Sequence, residues 1–105
     1  MSARRSATLA KDDAVLSPLP LDAGLWKAVA GELSLSPQQT RIVELILRGQ
    51  KDKEIANALN LTVPTIRTYL SRIFTKLKVD DRIALVLRVF SVSQRLAASR
   101  SGHQS

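Results

Sequence analysis

Asp52-Lys53-Glu54-Ile55-Ala56-Asn57-Ala58-Leu59-Asn60-Leu61-Thr62-Val63-Pro64-Thr65-Ile66-Arg67-Thr68-Tyr69-Leu70 is the stretch that decides the fold. Ile55, Ala56 and Leu59 form the inner stripe of a short helix that Asp52 is expected to cap. Asn60 suits the turn that follows, because its side chain tolerates left-handed backbone. Leu61 can plug the core beneath that turn. Thr62 is placed to cap a second helix, and Pro64 falls in its first turn, where a missing N–H does no harm. Two helices joined this closely form a helix-turn-helix, spanning residues 52–71, the commonest way to set a helix in the major groove of DNA.

The second helix is expected to run to about Leu77. Ile66, Leu70, Ile73 and Leu77 recur at helical spacing and form one apolar seam. At about 100° per residue the opposite face carries Arg67, Thr68, Ser71, Arg72 and Thr75. Short polar groups beside arginines suit base edges and phosphates. Upstream, Ser36-Pro37-Gln38-Gln39 combines an N-cap serine, a proline at the first helical position and a glutamine at the third. The Ser36 cap should contribute about 1 kcal/mol. Ile42, Val43, Leu45, Ile46 and Leu47 supply that helix with a buried face, and Gly49 ends it.

Earlier still, Asp22 can cap a short helix reaching Leu33, with Leu25, Trp26, Val29, Ala30 and Leu33 at helical spacing. It is too short to stand alone. It is expected to pack on the main domain with Trp26 as its anchor, a docking site for a partner being the alternative. After Leu77, Asp80 or Asp81 can cap a last helix at about 81–96. Ile83, Leu85, Val86, Leu87, Val89, Phe90 and Val92 make it apolar nearly all round, more than one core face requires, which points to pairing with its own copy. The expected architecture is all-α: a four-helix helix-turn-helix domain with an extra short N-terminal helix. The chain should divide into a disordered arm at 1–20, a short helix at 21–34 packing on the domain, the helix-turn-helix domain at 35–96, and a disordered tail at 97–105.

Bulk properties narrow the function. The 105 residues suffice for one small domain. Such a domain buries only about 60–65% of the surface its unfolded chain exposes, so dimerisation would help it. There is no cysteine, and the one histidine is His103. That argues against disulfides, the best-known zinc sites, a metal cluster and a His-based catalytic group. With no paired carboxylates and no Gly-rich phosphate loop, no enzyme is expected, and neither catalytic residues nor a metal nor a cofactor. No small-molecule ligand is evident. Arg4-Arg5 is not followed by a long apolar run, and no segment has the roughly 18 apolar residues of a membrane span, so no membrane association and a cytoplasmic location are expected. The formal net charge is +7. Residues 1–47 are neutral, whereas residues 48–78 hold seven basic side chains against two acidic ones. The excess therefore falls on the helix-turn-helix, as it should in a nucleic-acid binder.

From Leu35 to Phe90 the sequence resembles the LuxR/FixJ-type DNA-binding domain of bacterial transcription regulators. The landmarks are Leu35-Ser36-Pro37, Gly49, Lys53-Glu54-Ile55-Ala56, Leu59, Leu61, Thr65-Ile66-Arg67, Lys76-Leu77, Val79 and Arg82. The resemblance implies a four-helix domain whose third helix reads DNA and whose fourth makes a dimer contact. It implies base contacts from Arg67, Thr68 and Ser71, and backbone contacts from Lys53, Thr62, Thr65 and Lys76. Arg72, on the flank of the reading face, is expected to meet the DNA backbone. Val86, Val89 and Phe90 are the expected dimer interface. Three positions depart from the family pattern: Gln39 where Glu is usual, Tyr69 where His is common, and Ser71 where a basic residue is frequent. About 34 residues precede Leu35, too few for a receiver or ligand-binding domain, so the chain is expected to be either one of the family's single-domain members or an excised fragment, its initiating Met favouring the former.

The expected function is that of a sequence-specific transcription regulator binding double-stranded DNA as a homodimer, with RNA polymerase a candidate partner. Two alternatives stand beside it. One is a promoter reader similar to the C-terminal region of bacterial sigma factors; the other is a protein-interaction adaptor that has lost DNA binding.

Overall fold

Local chemistry at each end sets the lengths of the helices: α1 (Ala23–Glu32), α2 (Pro37–Leu47), α3 (Asp52–Leu59), α4 (Val63–Leu77) and α5 (Arg82–Gly102). The structure is a computed structural model describing residues 17–102. The readings made for residues 1–16 and for His103 lie outside the described residues. Among those described the architecture is all-α, with connections of three or four residues between helices.

Four starts follow from side-chain caps. Asp22 accepts from the Leu25 N–H at 2.7 Å. Ser36 accepts from Gln39 at 3.1 Å while the Gln39 side chain accepts from the Ser36 N–H at 2.9 Å, a reciprocal capping box. Thr62 accepts from Thr65 at 3.3 Å, and Asp81 from Ala84 at 2.8 Å. The start of α3 differs from expectation. Asp52 is not its cap but its first helical residue, and Lys51 occupies the cap position. Lysine has no acceptor, so the help comes from within the helix: the Glu54 side chain accepts from the Lys51 N–H at 2.7 Å. That arrangement leaves the Asp52 carboxylate for other partners.

The four connections end in one way. Ser34, Gly49, Asn60 and Lys78 have φ of 56°, 84°, 59° and 58°, all left-handed. The next residue then donates its N–H five positions back: Leu35 to Ala30, Gln50 to Leu45, Leu61 to Ala56 and Val79 to Phe74, at 2.8–3.0 Å. This is the Schellman closure, which satisfies carbonyls the helix would otherwise strand. α5 outruns its expected end at 96. Ala97, Ala98 and Arg100 favour helix, and the described part of α5 extends to Gly102.

The core is aliphatic. Val29, Ile42, Val43, Ile55, Ile66, Ile73, Leu85 and Val89 are fully buried. α4 lies against both α3 and α5, α2 lies against α3, and α1 lies along α5. Trp26 of α1 is buried, and its indole N–H donates to Glu44 of α2 at 3.2 Å. Glu44 also holds Arg48 at 3.1 Å. Arg88 of α5 donates to the Leu77 carbonyl at 2.7 Å and so closes the C-terminal end of α4. Ile73 lies midway along α4 with no exposure, so Ile73→Ala is expected to cost about 2–5 kcal/mol of folding free energy, read from urea unfolding.

Candidate nucleic-acid interface

α4 has two faces with opposite surroundings. Ile66, Leu70, Ile73 and Leu77 are buried, whereas Arg67, Thr68, Ser71, Arg72 and Thr75 are exposed. The helix can keep its apolar seam dry and still present a continuous polar stripe. Lys53 on α3 and Thr62 at the start of α4 are exposed, and Thr65 is half-buried. The Thr62 hydroxyl donates to that of Thr65 at 3.0 Å, so both sit at the helix N-terminus, where backbone N–H groups favour an anion. Tyr69 is half-buried against the core.

Two polar groups on this surface are already engaged. The Thr68 hydroxyl donates to the Pro64 carbonyl at 3.1 Å, which leaves its oxygen facing outward as an acceptor. The Lys76 ammonium donates to the Ser34 carbonyl and to the Gln39 side chain. Lys76 therefore ties the end of α4 to the turn between α1 and α2, a role the helical pattern did not show.

Arg67 is 71% exposed, and its Nε lies 3.7 Å from Asp52 Oδ2. The other Asp52 oxygen accepts from Arg82 Nη1 at 2.9 Å. Arg82 Nη2 donates to the Gln50 carbonyl at 3.2 Å. Asp52 thus links the start of α3, the start of α5 and the polar face of α4. Sequence reasoning missed this link, because the partners are 15 and 30 positions away. The only available signal was the placement of Arg82 among the family landmarks.

The expected dimer contacts need correction. Val89 is fully buried in the protomer's own core, with Leu85 one turn before it. Among the described residues the large apolar side chains left in solvent are Ile83, 71% exposed, and Leu87, 63% exposed. Val86 and Phe90 are half-buried beside them. A hollow of about 430 Å³ opens there between α5 and the turn from α2 to α3, with Ile46, Ile83, Val86 and Leu87 among its walls. The helix is apolar on two sides. The side carrying Leu85 and Val89 is the inner one.

The luxR family of bacterial regulatory proteins matches residues 33–89. The chain belongs to this family and carries its DNA-binding domain. Similar proteins include the response regulator protein VraR of Staphylococcus aureus, Staphylococcus saprophyticus and Staphylococcus epidermidis, each 38% identical over 56 residues. That alignment covers 53% of this chain and 27% of each relative, so the chain matches about a quarter of their length. No solved structure matches it significantly. α1 and the part of α5 beyond residue 89 lie outside the family match. They pack against each other, with Arg95 pairing with Glu32 at 3.2 Å. No described helix is long and apolar enough to cross a membrane.

The cap at the start of α4 offers a direct check on this geometry. Thr62→Ala removes the acceptor at the start of α4 and should cost about 1 kcal/mol, lowering the thermal midpoint with the helical circular dichroism of the folded state nearly unchanged.

Proposed function

We propose that the protein is a sequence-specific transcription regulator that binds double-stranded DNA as a homodimer, with α4 in the major groove. The observation that carries this reading is the division of α4, whose seam is buried while five polar and basic residues on the far side stay in solvent. Arg67, Thr68 and Ser71 contact base edges. Lys53, Thr62, Thr65 and Arg72 meet the phosphate backbone. Lys76 reaches a phosphate only by giving up its contacts with Ser34 and Gln39. Arg67 is the main base reader, since a guanidinium matches the O6/N7 edge of guanine through two hydrogen bonds. Thr68 and Ser71 have single hydroxyls and discriminate less. The cytoplasm, where bacterial DNA lies, is its place of action.

Dimerisation runs through the outward side of α5, centred on Ile83 and Leu87 with Val86 and Phe90 beside them. Two copies related by a two-fold axis would read half-sites about 10 bp apart. Selection of bound fragments from random DNA tests the whole reading. An enriched sequence with two-fold symmetry supports it, and a protein that enriches nothing refutes it.

Two substitutions separate reading from pairing. Arg67→Ala is expected to weaken binding to the selected sequence by about 1–3 kcal/mol, with a much smaller loss on scrambled duplex, measured by fluorescence anisotropy. Leu87→Glu places a charge in the dimer face without touching the core, so sedimentation should give a monomer that remains helical, with affinity reduced on a two-half-site duplex.

A further inference from the structure

We infer that Asp52 is a specificity-determining residue that directs Arg67 toward a base edge and away from phosphate. This rests on the DNA-reading function proposed above. Three features of the structure support it.

First, the carboxylate is held in place. Arg82 grips one oxygen at 2.9 Å and is itself fixed by the Gln50 carbonyl. Asp52 is also the first residue of α3, where the helix N-terminus favours a negative charge. Its side chain is only 25% exposed, against 71% for Arg67. The aspartate is therefore the fixed member of the pair and the arginine the adjustable one.

Second, the contact involves one edge of the guanidinium. Asp52 Oδ2 lies 3.7 Å from Arg67 Nε, an ion-pair distance longer than a hydrogen bond. In water such a pair adds little stability. It biases orientation all the same. With Nε turned toward the carboxylate, the two terminal nitrogens remain for a paired contact with a guanine edge.

Third, charge separates the two targets of Arg67. A phosphate bound to this guanidinium would lie close to the carboxylate and be repelled by it, whereas a base edge is neutral. A second surface hollow is lined by Asp52, Asp80 and Asp81 together with Arg67 and Arg82, so its acidic groups outnumber its basic ones three to two. Docking on DNA excludes water and strengthens these terms. Discrimination then arises as much from the penalty on the wrong contact as from the strength of the right one.

The test measures affinity for the selected sequence and for a scrambled duplex, and takes their ratio. Wild type, Asp52→Asn, Arg67→Ala and the double variant are compared at a temperature where each is folded by circular dichroism. Asp52→Asn should lower the ratio by about ten-fold, with affinity for scrambled DNA equal or higher because a negative charge has gone. In the Arg67→Ala background the same change should leave the ratio nearly unaltered, since the two residues act through one contact. Asp52→Glu keeps the charge but displaces it by one methylene, and should also lower the ratio; it serves as the second variant if Asp52→Asn does not fold. An unchanged ratio in Asp52→Asn, equal losses on both duplexes, or an undiminished effect in the absence of Arg67 overturns the inference. A wild-type protein that does not discriminate between the duplexes overturns the DNA-reading function, and this inference with it. Discrimination by wild type that Asp52→Asn retains overturns the inference alone.

Discussion

Burial of the stripe Ile66, Leu70, Ile73 and Leu77 is the constraint from which the other features of the domain follow. A helix of 15 residues is marginal in water by itself. α4 persists because this side is removed from solvent by α3 and α5, while the far side gains nothing from burial and is free to be polar. Each fully buried aliphatic side chain contributes roughly 1.5–3 kcal/mol, so most of the helix's stability comes from residues that do not face outward. The polar surface can then vary in sequence with little effect on the fold.

The helix ends convert that packing into fixed geometry. Four connections close with a left-handed residue and an N–H reaching five positions back, which leaves each helix little freedom to lengthen or shift. Contacts between distant parts then fix the angles. Glu44 joins α1 to α2 through Trp26, Lys76 joins α4 to the turn before α2, and Asp52 with Arg82 joins α3 to α5. These are polar contacts at the edge of an aliphatic core, and they determine how the cylinders are rotated rather than whether they form.

This division explains what could be read from the sequence. Features encoded within a few residues were legible: the capping box at Ser36, the left-handed turn at Asn60, the seam of α4 and its polar reverse. α5 continues past 96 because the serines that suggest a tail stand among alanine and arginine, which favour helix. Asp52 resembled a cap because acidic residues before a helix usually cap it, and its partners are remote in sequence. Val89 and Leu87 could not be told apart by periodicity, since α5 is apolar on two sides and only the packed neighbours reveal which side is inward. Likewise, no local pattern showed that Lys76 would be drawn toward the turn at Ser34.

The chain has a single tryptophan, and it lies under α1, bonded to a carboxylate of α2 and away from the polar face of α4. Its emission therefore reports on one event, the seating of the first helix against the body of the domain. The protein carries an internal optical gauge of its own assembly, with no second indole in the chain to confuse the signal.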